Sequence, residues 1–167
     1  MFVLQPTTTA SMASLQALVP TDYERYKALL FPTGEATPFI VEIPKSPFAE
    51  SDAPVGGLAY MPYLTDGPAS HPANHSYLEI LVVDGSGASQ YMTIIMVDQD
   101  HPRHLTVPHN MCIQSVVGGG VSWTGNVLAV RRVGGRLADV QPEHIAPITE
   151  NVAYLIRAEV NAVISRL

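Results

Sequence analysis

Charge is what this sequence has least of. Asp, Glu, Lys and Arg make up 14% of its 167 residues, roughly half the share of an average soluble domain. A segment that stays unfolded needs the opposite balance, and here 47% of residues are hydrophobic, enough to pay for ordering a core. Nine Lys and Arg against fifteen Asp and Glu leave a net charge of −6, which argues against a nucleic-acid partner held by phosphate neutralisation. Cysteine occurs once, at Cys112, so no internal disulfide staples the fold. Residues 1–20 contain no Lys or Arg, and their first apolar run stops at Gln5 and Pro6; neither a secretory signal nor an arginine-rich presequence is expected. No window approaches the roughly 18 uninterrupted apolar residues of a membrane helix. The nearest, 148–167, is broken by Glu150, Arg157 and Glu159. These absences set an expectation of a cytoplasmic protein with no membrane and no nucleic-acid partner.

Long unbroken helices are lacking as well. Pro 14 and Gly 12 interrupt regular structure too often for a coiled coil. A chain of this length buries one sizeable core, so 1–167 reads as a single domain with residues 1–10 flexible. Within it, Thr21-Asp22-Tyr23-Glu24 has the form of a capping box and predicts a helix over 22–31, ended by Pro32 and Gly34. A second helix is expected before it, over 11–18. Residues 38–43 read as a short strand, and 55–64 as another, weakened by Pro62.

The clearest signal comes next. Residues 77–83 and 91–97 are apolar and rich in β-branched side chains, and the turn-forming stretch 84–90 lies between them, which predicts a hairpin. Both strands are apolar on both faces, so both are expected to be central in the sheet. Shorter strands are predicted over 105–107, 112–117 and 121–123. A second hairpin pairs 126–133 with 136–140 across Gly134-Gly135. The apolar stripe Ile145, Ile148, Val152, Leu155, Ile156, Val160, Val163 and Leu167 has helical spacing; Pro147 sets the expected start of this last helix near 147, after a turn at 142–146. The order of elements predicts an α+β fold: an antiparallel sheet of about five to seven strands with N-terminal helices and a long C-terminal helix. A barrel-like closure of that sheet is the alternative.

No residue pattern names an activity. Four histidines fall in or beside proline-rich loops. His71 and His75 precede the first strand of the long hairpin, and Asp98, Asp100, His101 and His104 follow its second. An antiparallel hairpin returns its second strand to the start of its first, so these groups are expected to meet. Imidazoles with a carboxylate are ligands for Zn or Fe, and His71, His75, Asp100, His101 and His104 are the candidate metal set. None of their spacings is a metal motif. His109 lies three residues before Cys112, the spacing of a conceivable Cys–His pair, although Met111-Cys112-Ile113 is an apolar setting that suits a buried thiol. Gly118-Gly119-Gly120 matches neither dinucleotide nor phosphate-loop spacing and reads as a connector before Trp123. No serine sits in a hydrolase elbow. Asn74-His75-Ser76 has the form of a glycosylation triplet, without the secretory context that would use it. His144 is expected at the surface. Residues 101–132 resemble a cupin strand pair at the level of the fold, with Val107-Pro108 where such barrels turn, but lack the His-x-His and spaced Glu of a cupin metal site.

Charge is unevenly spread. Residues 1–100 carry three basic and eleven acidic side chains, and 101–167 carry six and four, with Arg131, Arg132 and Arg136 clustered around the second hairpin. A chain so poor in charge has few polar side chains to cover its surface, so any uncovered strand face would be an apolar patch. The expected function is a non-catalytic binding module without a cofactor. It would self-associate, or bind a protein partner, through an apolar sheet face or the C-terminal helix. A small metal-dependent enzyme or metal-binding protein using the histidine loops is the alternative, and a small-molecule pocket inside a barrel-like sheet is the third reading.

Overall fold

The computed structural model describes residues 24–44, 75–83, 86–99, 107–118 and 120–164. They form a six-stranded antiparallel sheet with helices, an α+β fold. The strands are β1 (Arg25–Phe31), β2 (Phe39–Pro44), β3 (His75–Val83), β4 (Ser89–Val97), β5 (Val127–Val133) and β6 (Arg136–Ala138). The helices are α1 (Met111–Val117) and α2 (Ile145–Ile164), the second entered through a short 3-10 turn, Pro142–His144. The strand path runs β2-β1-β5-β4-β3, with β6 paired to β5. It is open: β2 and β3 are its two ends among the described residues, so the sheet does not close into a barrel. The barrel-like alternative does not hold.

β5 is the middle of this sheet. Residues 127–129 pair with β1, and 127–132 pair with β4 on the other side. β6 takes over beside β5 where β1 stops, pairing with 131–133. The chain then stays alongside β1: the Val140 N–H donates to Lys27 O, and the Lys27 N–H donates to Asp139 Oδ1, both at 2.9 Å. Gly134 and Gly135 make the β5–β6 turn at φ 57° and 80°, the doubly left-handed geometry that matches strand twist and that glycine adopts without strain.

Each face of the sheet carries a buried core. One carries Leu29, Phe31, Met92, Ile94, Val127 and Ala129, packed against Cys112, Ile113 and Val117 of α1 and Ile148, Val152, Ala153 and Ile156 of α2. The other carries Tyr26, Ala28, Leu30, Val41, Ile43, Ile95, Leu128 and Val130, with Phe39 and Leu137 at its margin, and no described helix packs there.

Several expectations are corrected. The predicted helix over 22–31 is strand β1 from Arg25. Its side chains alternate between the two cores, Tyr26, Ala28 and Leu30 to one and Leu29 and Phe31 to the other. A run this short fits either period, and pairing on both sides decides it. The predicted strand 112–117 is α1: Asn110 Oδ1 accepts from the Ile113 N–H at 2.7 Å and caps the helix, and Gly118 at φ 97° ends it. Residues 121–123 form no strand; Thr124 only bridges His109. Helix α2 starts at Ile145 rather than 147 because Pro147 falls in the first turn, where its missing N–H has no partner to lose. The predicted helix 11–18, strand 55–64 and most of 105–107 lie outside the described residues, as do residues 1–10.

Polar side chains fix the loops that join sheet and helices. Asn110, fully buried, also donates through Nδ2 to Phe31 O at 2.9 Å and Gly125 O at 2.8 Å. Asn126 Oδ1 accepts from the Thr33 N–H at 2.7 Å. Beyond β4, Gln99 holds Thr124 from both ends of its amide: Nε2 donates to Thr124 O at 3.1 Å, and Oε1 accepts from the Thr124 N–H and hydroxyl at 3.2 and 3.1 Å. The Arg157 guanidinium of α2 donates twice to Val117 O, at 3.1 and 2.8 Å, placing a cation at the C-terminal end of α1 where the helix dipole favours one.

Candidate functional site

The long hairpin pairs over all nine residues of each strand, from His75 opposite Val97 to Val83 opposite Ser89. Only β4 has the central place expected of both strands. β3 is the end strand of the sheet among the described residues; Tyr77, Glu79, Leu81 and Val83, which share one face, are exposed, as is Leu78 on the other, while His75 at its start is buried.

Register places the exposed groups together. Leu81 lies directly across from Tyr91, and Tyr91 across from Arg132. Leu81, Val83 and Tyr91 are 50%, 55% and 61% exposed, and alternation puts all three on the sheet face opposite the helices. An ion pair flanks them. Arg132 Nη1 approaches Glu79 Oε1 at 3.6 Å across β4, and Nη2 donates to Gly135 O at 3.1 Å. The pair reaches solvent and adds little stability. What it does is occupy the Arg132 cation beside Tyr91, its direct partner in the register.

The neighbouring arginine turns the other way. Arg131 donates through Nε to Gln90 Oε1 and through Nη1 to Asp139 O at 3.0 Å. The Gln90 amide also meets His144 Nε2 at 3.3 Å. His144, expected at the surface, is buried. Its Nδ1 accepts from the Gln141 N–H at 2.9 Å, so the ring caps the turn that leads into α2. Arg131 and Arg132 are thus both engaged within the fold, while Arg136 is exposed.

Of the candidate metal set, only His75 lies among the described residues; His71, Asp100, His101 and His104 fall outside them. His75 begins β3 opposite Val97, with Asp98 the next residue beyond, so the hairpin does bring those two to one end. Among the described residues no group of three or more His, Cys, Asp or Glu side chains could hold a metal.

Cys112 is fully buried in the helix-side core. Burial, with a smaller contribution from the Glu35 carboxylate, pushes its thiol up from 9.0 to about 12, the reverse of what a nucleophile needs. His109 is exposed and its Nδ1 lies 3.4 Å from Ser122 Oγ. No described helix is long and apolar enough to cross a membrane.

Comparison with family models, with curated proteins and with solved structures finds no match.

The residues that sequence reasoning missed are Leu81, Val83 and Tyr91. A signal for them was present: Glu79 stands alone in the apolar run 77–83, and a lone carboxylate marks the face that meets water, which carries 77, 81 and 83 with it.

Proposed function

We propose that this protein is a non-catalytic binding module that associates with a second copy of itself through the β3 edge of its sheet. The observation that supports this is the clustering of Leu81, Val83 and Tyr91 on one face of the end strand and its neighbour, each at least half exposed. Contiguous apolar exposure of this kind marks an interaction surface. An end strand also offers backbone donors and acceptors to a further strand, and alternate side chains then fix its register. The C-terminal helix is the weaker surface, because Tyr154 is the one large apolar side chain that the described part of α2 exposes strongly. The reading puts the assembly in the reducing cytoplasm, which suits a sequence with a single cysteine.

Light scattering coupled to size exclusion tests the proposal on the full chain. Across micromolar loading the wild type should approach twice the 18.0 kDa chain mass. Replacing Leu81 and Val83 together by Lys should return it to the monomer mass with an unchanged circular dichroism spectrum, since both positions are exposed. A wild type that stays monomeric at tens of micromolar overturns the proposal, as does a dimer indifferent to the double substitution.

A further inference from the structure

We draw no further inference here: the strongest candidate, the sheet face lined by Tyr26, Leu30, Val41, Ile43, Leu128 and Val130, is buried yet packs against no helix among the described residues, and nothing in the structure shows what covers it.

Discussion

Asn110 is fully buried, and its amide accepts from Ile113 and donates to Phe31 and Gly125. Three parts of the chain therefore meet on one side chain: the end of β1, the start of α1 and the approach to β5. Asn110→Ala removes the helix cap and strands two buried carbonyls, at an expected cost of about 2–4 kcal/mol in urea unfolding. Asn110→Asp keeps the cap but aims a carboxylate oxygen at the same carbonyls, so it should fail to rescue; an Asp variant as stable as wild type would contradict this account. Thr93 behaves oppositely. It is fully buried, and its hydroxyl has no hydrogen-bond partner among the described residues. Thr93→Val deletes that unpaired group at nearly constant shape and should raise stability by about 1 kcal/mol. Cys112 gives a pH dependence. Its thiol stays protonated in the fold up to about 12, whereas the unfolded chain ionises it near 9.0. The stability it confers is full below that lower value and is lost as pH rises from there towards the upper one. The fall in stability of the wild type on this alkaline limb should be steeper than that of Cys112→Ala, when both are measured by denaturant titration at each pH.

Among the elements, those whose signal is local were legible in the sequence. The β3–β4 hairpin, the β5–β6 hairpin and α2 each follow from a run of apolar residues joined to its own turn or stripe. Where the deciding interaction is distant, the local pattern misleads. β1 has helical spacing and a capping box before it, and only its pairing with both β2 and β5 makes it a strand. α1 is equally hidden, because its β-branched residues favour a strand until the Asn110 cap is counted. The place of β3 at the end of the sheet is likewise a property of topology. Of the candidate metal set, four of the five members lie outside the described residues. At the β5–β6 turn the glycines carry the element. No atom lies within 4 Å of where a Cβ would sit at Gly135, so the only cost of Gly135→Ala is backbone strain at φ 80°, about 1 kcal/mol. A larger loss, measured by thermal unfolding, would mean that the turn is packed against something.

For the whole molecule, the way copies meet decides what assembly is possible. Pairing of β3 with β3 of another copy is two-fold and stops at a dimer, while pairing of β3 with β2 would join unlike ends and extend without limit. The proposed dimer is of the first kind, so the mass should plateau at two chains rather than grow with loading.

The central position of β5 also governs the order of assembly during synthesis. The β1–β2 and β3–β4 hairpins are both complete in sequence before β5 exists, and the register Leu29 to Ala129 spans about a hundred residues. At ribosomal speed that gap lasts on the order of ten seconds. β1 has an open side for all of that time and β4 only from Val97 onward, so over the last thirty or so residues the nascent chain holds two separate ribbons waiting for the strand that joins them. Arrival of β5 closes both at once. Premature termination before residue 127 would leave the ribbons unjoined, as a substrate for chaperones rather than a smaller version of the fold.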